Sequence, residues 1–307
     1  MSAGDVLRQV AGQVAEAGGR IASAVTGTTG QSTKGGPTRR AVVLRAGRLT
    51  PHVVRVVLGG EFDDFEPRFT DSYVKLLFGV PGASYPDPLD MAAVRRDHPR
   101  EEWPRPRTYT VRAFDAERGE LTLDLVVHGD AGLAGPWAAA VRPGDVIHLL
   151  GPGGAFTPAP EADWHLLVGD DSALPAIAVI LGKLPAGVPA RVVVEVEGPE
   201  DEQPLPTAAD ALVRWVHRSA GGGRDALVRA ARELPRPEGT PHAFLHGEAD
   251  AVRQLRRWAR LELGVPKELL SASGYWRCGR SDEDWRAEKQ DWNRAVELDE
   301  QDASAAG

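Results

Sequence analysis

The chain changes rhythm once, near residue 160, and that change constrains its fold more than any single motif. Before it come short runs rich in β-branched and aromatic residues, each bounded by Gly, Pro or Asp: Ala41–Arg45, Val53–Leu58, Tyr73–Phe78, Thr108–Ala113, Leu121–His128 and Val146–Leu150. Many short strands at this spacing predict a small antiparallel β-barrel. One helical segment, about Gly135 to Val141, interrupts them; the proline-rich, charged stretch 80–105 reads as an irregular loop, and Gly151-Pro152-Gly153-Gly154 as a turn closing the barrel. After residue 160, strands at Trp164–Val168, Arg191–Val196, Leu212–His217, Ala243–His246 and Leu269–Ser273 alternate with helical stretches at Leu174–Lys183, Arg224–Glu233 and Asp250–Leu263. That alternation predicts a parallel sheet covered on both faces. A final helix, from Asp282 to about Leu298, places Trp285, Trp292 and Val296 on one face, a stripe suited to packing on the domain. The expected organisation is an extension over 1–37, a barrel over 38–160, and a nucleotide-binding-type α/β domain with a C-terminal helix over 161–307.

Residues 27–36 are Gly, Thr, Ser, Gln and Lys, a flexible linker composition. The weak helical pattern of 4–25 lacks a bulky apolar face, so a poorly ordered extension is expected there rather than a membrane-surface helix. A net charge of −8 argues against general nucleic-acid affinity. One cysteine, Cys278, excludes an internal disulfide and a Cys-rich metal site. No apolar run approaches the roughly 20 residues of a transmembrane helix, and the N-terminus lacks a signal-peptide core. A cytoplasmic location follows as the expectation.

Three local patterns carry possible chemistry. In Arg107-Thr108-Tyr109-Thr110-Val111-Arg112, strand alternation puts Arg107, Tyr109 and Val111 on one face and Thr110 and Arg112 on the other. Such a strand offers a guanidinium for a phosphate and an aromatic face for a planar ring; a solvated surface strand is the plainer account. The run from His128-Gly129 through Gly135-Pro136-Trp137 ends a strand and opens a helix with a proline in its first turn, either an anion site or an ordinary connection. The third, Gly169-Asp170-Asp171-Ser172, lies at the first strand–turn–helix of the α/β domain, where such sheets bind ligands. It is not a Gly-x-Gly-x-x-Gly turn, and its carboxylates would repel a pyrophosphate, leaving a nicotinamide contact. His242 and His246 lie on a strand without a zinc-site arrangement and read as structural.

In this order, these patterns resemble the siderophore-interacting proteins, flavin-dependent ferric-siderophore reductases of the ferredoxin–NADP reductase superfamily. The resemblance spans about 38–295 and includes Leu49-Thr50-Pro51-His52-Val53, Tyr73-Val74-Lys75-Leu76-Leu77-Phe78, Asp201-Glu202-Gln203-Pro204, His246-Gly247-Glu248-Ala249 and Ser273-Gly274-Tyr275-Trp276-Arg277. It implies a ferredoxin reductase-like fold, with FAD on the barrel and NADH or NADPH on the α/β domain. Arg107 matches the flavin-phosphate arginine, Tyr109 the flavin-packing tyrosine, and Thr110 the residue near the reactive nitrogen. His128 and Gly129 match backbone-lining positions, and Gly135, Pro136 and Trp137 the pyrophosphate-binding helix start. This chain has Gly-Pro-Trp where the family often has Ser or Thr before the Trp, which leaves more of the phosphate binding to backbone donors. Arg112, Asp170, Asp171, Ser172, Glu248, Tyr275 and Trp276 complete the expected cofactor-binding set.

The function implied is hydride transfer from NAD(P)H to FAD and electron transfer to ferric iron in a siderophore, with no indispensable nucleophile or base because the flavin performs the chemistry. Ferric catecholates are anionic, so Lys75, Arg277 and Arg280 are candidate substrate contacts, or solvated cations. A ferredoxin is an alternative electron donor. Rival readings are a general flavin reductase serving a protein acceptor and a siderophore-binding protein without turnover. Arg214 and Arg218 either accept a 2′-phosphate or face solvent.

Overall fold

A computed structural model of the protein describes residues 37–127 and 132–305. The expected extension over 1–37 therefore lies, apart from its last residue, outside the described residues. Six strands form a closed antiparallel barrel: β1 (Arg39–Thr50), β2 (Val53–Gly60), β3 (Tyr73–Phe78), β4 (Arg105–Asp115), β5 (Glu120–Val126) and β6 (Val146–Gly153), in the order β1-β2-β5-β4-β3-β6. Period-two patterning sets each strand's inner face: Val54, Val56 and Leu58 on β2, Val74 and Leu76 on β3, and Leu121, Leu123 and Leu125 on β5 are all buried in one core. Each fully buried leucine stabilises this core by about 1.5–3 kcal/mol. Helix α2 (Ala134–Ala140) adds Ala134, Ala138 and Trp137 to it, with the Trp137 ring edge-on to Phe78 at 5.7 Å.

Two sequence expectations need correction here. The stretch 80–105 is not wholly irregular: it contains α1 (Met91–Asp97) and a single 3-10 turn at Arg100–Glu102. Its prolines flank this helix rather than interrupt it, the Asp90 carboxylate caps the first turn by accepting from Ala92 N at 2.7 Å, and Met91 and Val94 pack against Leu77, Leu89 and Leu150. Gly151 to Gly153 are not a turn but the end of β6, because Gly153 pairs with Tyr73 and leaves room for its ring. A Cβ on Gly153 would lie 2.6 Å from that ring.

The second half is a five-stranded parallel sheet, β7 (Trp164–Asp170), β8 (Pro189–Val196), β9 (Asp210–His217), β10 (Pro241–Glu248) and β11 (Leu270–Trp276), ordered β11-β10-β7-β8-β9. Helix α3 (Leu174–Lys183) covers the face of Leu167, Val192, Val194 and Phe244. Helices α4 (Ala226–Glu233) and α5 (Ala249–Leu261) cover the face of Leu166, Val168, Val193 and Leu245. On α6 (Asp282–Ala305) the expected stripe of Trp285, Trp292 and Val296 packs on Ala249 and Val252 of α5. The chain leaves β7 toward β8 on one side and returns at β10 on the other, so the crevice of this sheet opens at the carboxyl ends of β7 and β10.

The barrel and sheet are tied together at several points. His52, after β1, places Nδ1 2.7 Å from Asp201 Oδ2, and its backbone N–H donates to Oδ1 at 3.1 Å. This joins the Leu49–Val53 and Asp201–Pro204 stretches, far apart in sequence. Phe156, just past β6, belongs to the sheet-domain core, stacks on His242, and accepts from Thr70.

Candidate functional site

Strand β4 sets out its side chains as the alternation predicts. Tyr109 and Val111 face the barrel core, with Tyr109 at its margin, and Thr110 is buried on the opposite face across from Tyr73. Burial pushes the Tyr109 phenol well above its usual pKa, so it stays protonated. Arg112 turns toward the outside of the barrel, 3.7 Å from Asp124. Asp124 also receives a two-pronged bond from Arg55 at 2.7 and 2.8 Å. Arg107 has a side chain only 11% exposed, and both ends of its guanidinium are held. Nη1 lies 3.0 Å from Asp282 Oδ2, and Nη2 donates to Glu283 Oε1 at 2.7 Å. Both carboxylates come from the first turn of α6.

The carboxyl edge of the sheet is knotted around Asp170, the buried last residue of β7. Its Oδ1 accepts from Ser172 N at 2.9 Å and Ser172 Oγ at 2.5 Å; its Oδ2 accepts from Glu248 N and Trp276 Nε1, each at 2.8 Å. Burial and the neighbouring Asp171 raise its pKa to about 6, against the bonds from Ser172 and Trp276. Gly247, at φ 140°, lets β10 pass beside that carboxylate: a Cβ there would sit 2.6 Å from Oδ2. Trp276 keeps its ring 38% exposed at this edge, while Tyr275 is packed inward, edge-on to His246 at 5.0 Å. Glu248 caps α5 by accepting from Asp250 N and Ala251 N. Asp171 pairs with Arg218, which also reaches Glu197 at 3.1 Å and Glu195 at 3.4 Å. Arg218 thus does not face solvent unpaired, and Arg214 holds Glu233 at 3.0 Å.

The expected substrate cations separate into two groups. Arg277 and Arg280 both engage Glu288 on α6, at 3.5 and 3.1 Å, and Arg277 also lies 3.7 Å from Asp250. Lys75, half-buried on β3 opposite Thr108, sits 5.8 Å over the Tyr73 ring; burial and the charge of Arg286 lower its pKa. Sequence reasoning missed Arg286 and Lys289, since both sit on a helix read only for its apolar stripe. Lys289 bonds Ser273 Oγ at 3.2 Å, and burial together with Arg286 lowers its pKa to about 8. Arg286 shares Asp282 with Arg107, at 2.7 Å. The signal was present: Asp282, Arg286 and Lys289 recur at helical spacing along a stripe adjoining that of the tryptophans. His128 and Gly129 lie outside the described residues.

The siderophore-interacting FAD-binding domain profile matches residues 42–156, and the siderophore-interacting protein profile matches 162–279. The ferric vibriobactin reductase ViuB of Vibrio cholerae is 31% identical over 248 residues, covering 78% of this chain and 90% of its own. The chain belongs to the siderophore-interacting protein family. An uncharacterised Mycobacterium tuberculosis protein is 47% identical over 277 residues, 84% of this chain and 96% of that one. Among solved structures, the siderophore-interacting protein SipS of Aeromonas hydrophila aligns with a TM-score of 0.71 at 31% identity, over 83% of this chain and 98% of that one. The FAD/NAD-binding domain of a Vibrio cholerae nitric oxide dioxygenase, at 17% identity and a TM-score of 0.56, shares the fold, which is ferredoxin reductase-like.

The donor set on the barrel fits the FAD that this family's domain binds. Within one strand segment Arg107 would supply a charge for phosphate, Tyr109 a protonated aromatic ring and Thr110 a hydroxyl. Helix α2 begins without a side-chain cap, and just before it Gly132, at φ 84°, has open space where a Cβ would sit. Gly135 and Pro136 leave that first turn small, and Trp137 anchors it to the core.

Proposed function

We propose that this siderophore-interacting protein is a FAD-dependent reductase of ferric siderophores that draws its electrons from a nicotinamide dinucleotide. One juxtaposition carries the reading: the Arg107–Thr110 segment lies beside a cluster of three cations gathered from two domains. Lys75 projects from β3 opposite Thr108, and Arg286 and Lys289 reach in from α6, linked to Arg107 through Asp282. Bound FAD would accept a hydride, two electrons, and deliver them one at a time to ferric ions.

The chain's own residues bind and orient. Arg107 holds phosphate, Tyr109 packs a planar ring, and Thr110 offers its hydroxyl toward the ring's edge. Lys75, Arg286 and Lys289 attract an anionic chelate despite the overall negative charge, because local potential rather than net charge governs approach. The Asp170 knot fixes the exposed Trp276 ring where a nicotinamide would arrive. Release of iron needs no nucleophile: ferrous iron is held far less tightly than ferric iron by hard oxygen donors. No helix among the described residues is long and apolar enough to cross a membrane, and the exposed thiol of Cys278 suits a reducing, cytoplasmic setting.

The test is anaerobic. Protein loaded with FAD should bleach with a reduced nicotinamide and then release Fe(II), trapped by ferrozine, from a ferric catecholate. The reading fails if the reduced protein leaves every ferric siderophore oxidised while passing electrons rapidly to a protein acceptor.

A further inference from the structure

The Arg107 guanidinium, which on the reading above grips the flavin phosphates, is already gripped. Its two Nη atoms face two carboxylates, Asp282 at 3.0 Å and Glu283 at 2.7 Å, and Nη1 additionally reaches Pro106 O at 3.1 Å. A guanidinium recognises a phosphate with the same forked pair of N–H groups that it presents to carboxylates, so the two acids fill the fork. A phosphate must therefore compete with both acids for one guanidinium. Arg105 at 3.7 Å from Glu283 and Arg286 at 2.7 Å from Asp282 bring the local count to three cations against two acids and anchor the acids further.

Both acids stand at the start of α6, a helix fixed to the α/β domain through Trp285, Trp292 and Val296. The family profile ends at residue 279, so this helix lies beyond the matched region. Its first turn therefore reaches from one domain onto the cofactor strand of the other.

We propose that Asp282 and Glu283 form an autoinhibitory latch: they occupy the phosphate fork of Arg107, and a flavin carrying phosphate seats only by displacing the first turn of α6. This rests on the flavin reading above. The latch couples cofactor binding to the position of α6. It acts only on phosphate-bearing flavins, because riboflavin asks nothing of Arg107. The same first turn leads into the face that carries Arg286 and Lys289, so seating FAD would also reset the cation cluster.

The experiment uses the full-length apoprotein and its Glu283→Gln and Asp282→Asn variants. FAD, FMN and riboflavin are titrated by flavin fluorescence, and backbone hydrogen exchange is followed with and without FAD. Loss of one competing ion pair of this exposure should tighten FAD and FMN binding about fivefold, with riboflavin affinity unchanged. Exchange in residues 282–286 of the unsubstituted protein should rise when FAD binds. The latch is overturned if flavins bind but Glu283→Gln leaves FAD affinity unchanged or weakens it, the behaviour of an acid that merely positions Arg107. It is equally overturned if riboflavin gains as much as FAD, or if the 282–286 amides become more protected. If no flavin, riboflavin included, binds any of the three proteins, the flavin reading itself falls, and the latch with it.

Discussion

Replacing Lys289 with methionine should make the protein more stable and a poorer reductase of anionic chelates. The ammonium is tucked between β11 and α6, near Arg286 and His246, with Ser273 Oγ at 3.2 Å as its hydrogen-bond partner. Burial, then Arg286, hold its pKa at about 8 against an ordinary 10.5, with Asp282 pulling the other way. That difference corresponds to about 3 kcal/mol disfavouring the charged form in the folded state. Below pH 8 the lysine is charged both folded and unfolded, so the whole penalty applies. Between pH 8 and 10.5 the folded group gives up its proton first, and the penalty fades as pH rises. Methionine keeps the apolar stem and removes the charge, at the loss of one charge-assisted hydrogen bond worth about 1.5 kcal/mol. The net gain is about 1–2 kcal/mol below pH 8, roughly 4 °C in Tm for a chain of this size, shrinking toward zero by about pH 10. Meanwhile KM for an anionic ferric chelate should rise about fivefold, the worth of one such charge contact, while a neutral chelate is unaffected. Calorimetry from pH 6 to 10 and steady-state kinetics with chelates of different charge measure both. A lower Tm at pH 7, or equal KM changes for charged and neutral chelates, would refute the reasoning.

Gly247→Ala should cost about 3–5 kcal/mol, from strain at positive φ and displacement of the Asp170 carboxylate; chemical denaturation checks it, and a loss under about 1 kcal/mol would mean that Asp170 is not a rigid acceptor. Because Arg218 is already shared by Asp171, Glu195 and Glu197, a 2′-phosphate meets a net negative site, and NADH should exceed NADPH about tenfold in kcat/KM. Glu197→Gln should narrow that gap; anaerobic stopped-flow with both nucleotides decides. Asp124→Asn breaks the two-pronged bond from Arg55 and leaves Arg112 without its acid, so it should destabilise the barrel by about 3 kcal/mol, read as a lower urea midpoint.

The architecture was legible because its determinants are local. Period-two runs such as Leu121-Leu123-Leu125 and the Leu174–Lys183 helix follow from patterning alone, and the two-part organisation follows from the single change of rhythm. What patterning obscured was a short helix set between prolines: α1 was hidden because residues 80–105 are dominated by proline and charge, although Asp90 before Met91 and Val94 is a capping signal. Charge pairing was the least legible. Arg277 and Arg280 look no different in sequence from Arg286 and Lys289, yet Glu288 takes the first two, Asp282 takes Arg286, and Lys289 bonds Ser273. A charged side chain's role depends on which acid lies across a tertiary contact, and nothing in its neighbours along the chain specifies that.

Helix α6 shows how one periodicity can serve two domains at once. Residues 285, 292 and 296 fall on the face that packs on α5, and residues 282, 286 and 289 fall on the face turned toward β3, β4 and β11. The apolar face is held by buried tryptophans and is the rigid partner. The polar face carries both signs of charge: acids at its start meet Arg107, and cations one and two turns later meet the Lys75 and Ser273 positions. A helix so anchored cannot shift its first turn without moving the cations behind it. Flavin phosphate and ferric chelate, binding on different side chains, would thus act on the same helix, and whatever factor occupancy of one site applies to affinity at the other is reciprocal.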